Sequence, residues 1–280
     1  MRRLAALAAT LSLAACASGG PAPAAPAAAR PAARAAGDPT TLRYAAGSGR
    51  YRVESQSHTV QEMMGQTQEV DQTTTMVVSA ALTEEAGDLA AALTVDSVTT
   101  TGTAPGMGAI DAARGQTFRA VFSPLGRPVS LTLPDTTNPA LQQVGEDFRD
   151  FLPALPAAPI SAGQAWTDTT TAANNLGEIT INSRSVRAHR VVGWEDRGGG
   201  RALKIATTGN YTVRGTGNAQ GQELQLEGGG VVTVERFVSA AGVFLGQTSS
   251  DSSLIQVTVV SMGLEIPVRR QTRASVTRLP

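Results

Sequence analysis

The sequence predicts a mainly β protein in which two strand-rich antiparallel halves form a curved sheet or half-barrel, with one connecting amphipathic helix. Three observations predict it. Apolar and polar residues alternate at period two along most of the chain beyond residue 42, Gly/Pro/Ser turn signals punctuate those runs, and one window near residue 140 switches to helical spacing.

Taken in order, Tyr51, Val53, Ser55 and Thr59 alternate with Arg52, Glu54, Gln56 and His58, which reads as a half-buried strand. Leu89, Ala91, Leu93 and Val95 repeat the period. Further strand faces are expected at Phe118, Ala120 and Phe122; Val129, Leu131 and Leu133; Val186, Ala188, Val192 and Trp194; Leu203 and Ile205; and Val232 and Val234. The last two are Ile255, Val257 and Val259, and Ile266, Val268, Ala274 and Val276. Threonine between them suits strand surfaces. Turns are expected at 123–126, 197–200 and 228–230. Phe122-Ser123-Pro124-Leu125-Gly126 is echoed by Val238-Ser239-Ala240-Ala241-Gly242, either through duplication of a hairpin or through repeated turn chemistry.

The helical window has Asn138 as cap and Pro139 at the first position. Leu141, Val144, Phe148 and Phe151 fall on one face, Gln142, Glu146, Asp147, Arg149 and Asp150 on the other, and Pro153 and Pro156 end it. One such helix between two strand-rich halves is expected to plug or cover the concave side of the sheet. Its apolar face, Leu141, Val144, Phe148 and Phe151, is therefore a candidate lid over an apolar ligand. The layout is then 1–15 signal, 16–38 tether, 39–135 first half, 136–160 helix and Pro-rich connector, and 161–280 second half.

The amino-terminal layout rests on Cys16, the one cysteine of the chain. Met1-Arg2-Arg3 is a positive n-region, Leu4 to Leu13 an apolar core, and Leu13-Ala14-Ala15-Cys16 closes it with small residues. The apolar run is shorter than the ~20 residues that cross a bilayer, and the Ala/Pro tract behind it would not fold around a buried thiol. The arrangement resembles a bacterial lipoprotein signal with its lipobox. That resemblance implies cleavage before Cys16, lipid on its sulfur and amine, and anchoring in a membrane of the cell envelope. Ala17 in place of Asp after the cysteine resembles lipoproteins sent to the outer membrane, facing the periplasm, where two membranes exist. Residues 17–38 extend at about 3 Å per residue, a spacer of roughly 60 Å.

Lys and Arg balance Asp and Glu at 23 each. Loss of Arg2 and Arg3 with the signal leaves the chain slightly acidic, with no field favouring nucleic acid. With Cys16 lipidated no internal disulfide forms, so packing must supply stability.

Catalytic motifs are sparse. His58 and His189 are the two histidines, too few for a multi-histidine zinc site, and no cofactor motif is present. His58 shares a face with Glu54 and Glu62, but Arg52 and Gln56 on that face favour ordinary polar surface. Arg187, His189 and Arg190, near Arg184, form a basic strip that is either a candidate anion site or simple edge protection.

From about Leu42 onward the chain resembles uncharacterised β-rich bacterial envelope lipoproteins, through Leu152-Pro153-Ala154-Leu155-Pro156 and Gly163-Gln164-Ala165-Trp166-Thr167. That likeness implies no chemistry. More remotely, many strands with a covering helix resemble the lipoprotein carrier and receptor fold, a half-open barrel that cradles acyl chains. Two functions follow as expectations. One is a membrane-anchored, non-catalytic binding or scaffolding module for an apolar ligand or an envelope protein. The alternative is an envelope hydrolase using Asp168 or Glu178 with His189, which requires those side chains within about 10 Å in a shared pocket.

Overall fold

In the computed structural model, residues 41–280 are described except 64, 103–106, 177, 198–199 and 220. Cys16, the signal and the tether fall outside them. The strands are β1 (Gly47–Met63), β2 (Gln66–Glu85), β3 (Asp88–Gly102), β4 (Thr117–Phe122) and β5 (Pro128–Thr132) before helix α1 (Pro139–Arg149). After it come β6 (Ala165–Leu176), β7 (Ile179–Arg197), β8 (Gly200–Ala219), β9 (Gln222–Ser239), β10 (Phe244–Val259) and β11 (Leu264–Leu279). All join one antiparallel sheet in the order β5-β4-β3-β2-β1-β11-β10-β9-β8-β7-β6. Each half is a meander of neighbouring hairpins, as short antiparallel connections favour. The halves are sealed by the first and last strands, whose register runs from Arg50↔Leu279 to Gln61↔Val268.

The sheet is open, with β5 and β6 as its edges, and one helix covers it, as expected for the half-barrel. Four β-bulges, at Val77/Val78, Val121/Phe122, Val191/Gly193 and Phe244/Gly246, interrupt the ladders. Each adjoins a core residue: Val78, Phe122, Val191 and Phe244 are all nearly inaccessible. Bulges bend a strand and sharpen its twist, so the sheet curls where the core must be enclosed.

That core gathers at one end of the strands. Asn138 accepts a hydrogen bond from the Ala140 amide through its side chain (3.0 Å), with Pro139 behind it, so α1 starts at the predicted cap. Phe148 meets Phe118 of β4 edge-on at 5.0 Å, while Phe151, just beyond the helix, meets Tyr51 of β1 at 5.2 Å and Phe244 of β10 at 5.7 Å. The helix and its aftermath therefore tie both halves together through aromatic contacts. The connector continues the plug: Leu152 and Leu155 are buried, and the Leu155 amide bonds to the Leu125 carbonyl at 2.8 Å.

Two strand faces differ from expectation. Val129 is exposed because the bulge beside it pairs Val121 with Ser130 but Phe122 with Pro128, leaving Val129 outside the ladder. In β7 the alternation Val186, Ala188, Val192 lies outward and Arg187, His189, Val191 inward, and the bulge at Val191/Gly193 then returns Trp194 to the core side. Apolar alternation selected the wrong face because the inward face of this strand is polar (below).

Candidate functional site

Along the inner face of the second half, side-chain chemistry changes with distance from the plug. Near the core it is aliphatic: Val191, Leu203, Ile205 and Val238. Further along the same strands it becomes Ser183 and Ser185 on β7, Tyr211 on β8, Gly228 and Gly230 on β9, and Asp251 on β10, all brought onto one face by the register. Between these zones lies a buried polar array.

Its centre is His189, 4% exposed. Nε2 stands 2.9 Å from Asp168 Oδ2 and Nδ1 stands 2.9 Å from Thr207 Oγ1, while Arg236 Nη1 donates to that same hydroxyl at 3.1 Å. Arg236 has no lone pair to offer, so Thr207 accepts from it, and with a neutral ring the Thr207 hydroxyl donates to His189 Nδ1. Nε2–H then donates to Asp168. For a neutral imidazole, the Asp168 carboxylate, which only accepts, selects the Nε2–H tautomer. Burial, the largest influence, pushes the His189 pKa down, helped by Arg236 and Arg187 and opposed by Asp168. Trp166 stacks on the ring, centroids 5.0 Å apart, and Arg236 Nε donates to Gln247 at 3.2 Å.

The segment Gly163–Thr167 acquires a structural meaning here. Gly163, at φ +81°, donates to the Val191 carbonyl and the Val191 amide returns a bond to Gln164, so the turn starts β6 in register. Trp166 and Asp168 then face His189 from the neighbouring strand.

Asp168, His189 and Thr207 have the connectivity of an acid–base–hydroxyl relay, and the structure brings the proposed Asp168–His189 pair together. Glu178 does not join it: it sits at the β6–β7 hairpin end just before β7, eleven residues from His189, or roughly 36 Å of strand. Nor can the relay meet a substrate in this conformation, since Thr207 is 2% exposed and its oxygen is engaged on both sides.

The basic strip divides. Arg187 and His189 point inward, whereas Arg184 and Arg190 are exposed on the opposite face, because neighbouring strand residues alternate sides. Arg187 is also committed: Nη1 donates to Asp150 Oδ2, just past α1, at 3.1 Å. A three-residue anion site at Arg187, His189 and Arg190 is therefore not assembled. Nε of Arg187 and Oδ1 of Asp168 are buried without hydrogen-bond partners. His58 pairs across the sheet with Asp71 at 2.8 Å on the outer face.

Leu141, Val144, Phe148 and Phe151 are 3, 0, 3 and 7% exposed and belong to the packed core. None of them borders the open cleft beside α1. The opposite side of α1 does. Glu146, Arg149 and Asp150 border a cleft of about 650 Å³ whose other walls include Pro128, Thr170, Ser183, Ser185, Arg187, Tyr211, Val213, Val232 and Asp251. This is the part of the half-barrel that the plug leaves open. Its charges are largely paired: Glu146 takes both Arg149 Nε and Nη2 at 3.0 and 3.1 Å, Arg187 holds Asp150, and the Tyr211 hydroxyl donates to Asp251 at 3.0 Å. Desolvation raises the pKa of Asp251, with Tyr211 and Arg270 working against it.

The polar array could have been sensed in the sequence. Val232, Val234, Arg236 and Val238 alternate as one face, which places an arginine on an apolar, inward stripe, and Leu203, Ile205, Thr207 does the same for the hydroxyl. The cleft had no such signal, because it is built from seven separate elements, α1 and strands from β5 to β10.

No family model matches the chain, and no curated protein matches it. Among solved structures it is similar to Neisserial surface protein A, at 7% identity over 83% of this chain and 99% of that one, with a TM-score of 0.23. A BenF-like porin from Pseudomonas fluorescens Pf-5 shares 6% identity over 83% and 99% of the two chains, with a TM-score of 0.27. A mutant of the Rh. blastica porin shares 10% over 82% and 100%, with a TM-score of 0.29. Scores this low carry no argument about function.

Proposed function

We propose that this protein is a lipid-anchored, non-catalytic binding module of the bacterial cell envelope, tethered through Cys16 and holding its ligand in the open cleft beside α1. One observation carries the binding half of this reading: the only relay with the connectivity of a catalytic triad among the described residues is sealed, while an open cleft of ligand size lies next to it. A packed core beneath α1 argues against an acyl chain held under the helix, and the cleft takes its place as the binding site. The anchoring half rests on the lipobox-like signal, since two or more acyl chains hold a protein stably at a bilayer.

The test uses the full-length protein recovered from cells fed an alkyne-tagged fatty acid. Label should enter the wild type and be absent from Cys16→Ala. Native mass spectrometry should find a co-purified small molecule that Ser183→Leu and Ser185→Leu, which fill the cleft, displace. Absence of label from the wild type would remove the anchor, and hydrolysis of ester, amide or glycoside probes that vanished in His189→Ala would replace the binding reading with an enzymatic one.

A further inference from the structure

The cleft's chemistry narrows the class of ligand. An anion finds little to hold it: Arg149 and Arg187 are each engaged by a carboxylate, and Asp251 adds a further negative group. An acyl chain fits no better, because burying it would strip water from Thr170, Ser183 and Ser185 with nothing offered in return. What the walls do supply is hydroxyls, each a donor and a double acceptor, beside carboxylate oxygens with lone pairs beyond those already used.

The floor adds a flat surface. Tyr211 lies across β9 where glycine makes room: a Cβ at Gly230 would stand 2.7 Å from the Tyr211 hydroxyl oxygen and 2.8 Å from its ring. The hydroxyl is held by Asp251 at 3.0 Å, so the ring is fixed at both ends. Tyr211 is half-buried and lines the cleft, with Val213 and Val232 beside it. A fixed aromatic face flanked by aliphatic groups and rimmed by hydroxyls matches a pyranose, whose C–H face is apolar and whose edge carries hydroxyls.

Resting on the cleft-binding reading above, we propose that the cleft takes a neutral, polyhydroxylated ligand, a short segment of glycan, with one sugar ring laid against Tyr211 and its hydroxyls toward Ser183, Ser185 and Asp251. Recognition then depends on stacking and on hydrogen bonds to an uncharged ligand and is nearly independent of salt.

The experiment uses the full chain carrying Cys16→Ser, so that no lipid is attached, titrated by calorimetry with maltotriose, the β-1,4-linked trimer of N-acetylglucosamine, inorganic phosphate and laurate. Saturable binding of at least one trisaccharide is expected. It should be weakened by about tenfold or more in Tyr211→Ala and by less than about threefold in Tyr211→Phe, which keeps the ring. Half-molar salt should leave it nearly unchanged. Ser185→Leu, checked for native circular dichroism, should abolish it. The proposal is overturned if neither trisaccharide binds to the folded protein, if binding ignores Tyr211→Ala and Ser185→Leu, or if phosphate or laurate binds there instead. In each of those cases a co-purified ligand displaced by Ser185→Leu would leave the cleft-binding reading standing, so the two failures are separable.

Discussion

Trp166 of β6 lies parallel to His189 of β7, ring planes 17° apart and centroids separated by 5.0 Å. The stack makes the imidazole's charge state visible from outside, because a protonated ring quenches a neighbouring indole. Burial depresses the His189 pKa below its ordinary value of 6.5. The unfolded chain therefore takes up the proton first as pH falls, so His189 contributes stability that is fully present above pH 6.5 and is lost on acidification through the folded pKa. Tryptophan fluorescence should drop in the same acid window in which chemical stability declines. His189→Gln should flatten both curves, and Trp166→Phe should remove the optical change alone. A fluorescence midpoint above 6.5 would contradict the buried neutral imidazole.

Asp147 responds in the opposite direction. It lies on α1 one turn beyond Gln143, and desolvation raises its pKa from 3.8 to about 6, against smaller opposing effects of Gln143 and Arg270. Its folded form holds the proton more tightly than the unfolded chain, so its contribution is fully present below pH 3.8 and is lost as pH rises through about 6. Asp147→Asn should leave stability unchanged at pH 4 and raise it at pH 7.5. The residue nonetheless keeps contact with solvent, and screening limits the gain to ~1 kcal/mol. Urea titrations at the two pH values measure it, and equal gains at both would refute the shift.

Thr207 is the joint of the buried array. Thr207→Val keeps the side chain's shape but removes the acceptor for Arg236 Nη1 and the donor to His189 Nδ1. Two buried polar groups would lose a partner at once, which costs about 2–4 kcal/mol. Serine at the same position should restore most of it. Thermal unfolding distinguishes the two, and a neutral valine variant would mean that water replaces the hydroxyl.

Much of the fold was legible because alternation of residue types reports burial directly wherever one face is apolar. Leu89, Leu93 and Val95, and Phe118 and Phe122, are each within 1% of full burial, and the capped helix begins at Asn138. Reading failed where that link breaks. In β7 the inward face carries Arg187 and His189, so the apolar outward residues looked like the core. The four apolar residues at 141, 144, 148 and 151 were legible as one face, but sequence spacing could not say whether that face meets a ligand or other side chains. Tyr51, Phe118 and Phe244, from distant parts of the chain, fill the space. The cleft was illegible because it depends on sheet curvature, and curvature is set by bulges that leave no distinctive residue pattern.

The echo between residues 122–126 and 238–242 is conformational. In the first turn the Ser123 amide bonds the Arg127 carbonyl, the Gly126 amide bonds the Ser123 carbonyl, and the Ser123 hydroxyl accepts from the Arg127 amide. Ser239, Gly242 and Val243 make the same three bonds in the second. Both glycines are left-handed, at φ +78° and +77°. The segment entering β1 clips both turns: the Tyr44 amide bonds to Pro124 at 2.8 Å and the Ala45 amide to Gly242 at 3.1 Å. Neither glycine has room for a side chain. A Cβ at Gly126 would lie 2.5 Å from the Pro153 carbonyl oxygen and 2.6 Å from the Tyr44 ring, and one at Gly242 would lie 2.1 Å from the Arg43 carbonyl oxygen. Gly126→Ala and Gly242→Ala therefore combine backbone strain with a steric clash and should each cost roughly 2–4 kcal/mol. Gly221→Ala, at φ +76° with open space around its Cβ, should show the strain alone, about 1 kcal/mol. Hydrogen exchange adds a second measure. Losing either core turn should release protection at the Tyr44 and Ala45 amides, whereas the distal hairpin variant should leave them protected.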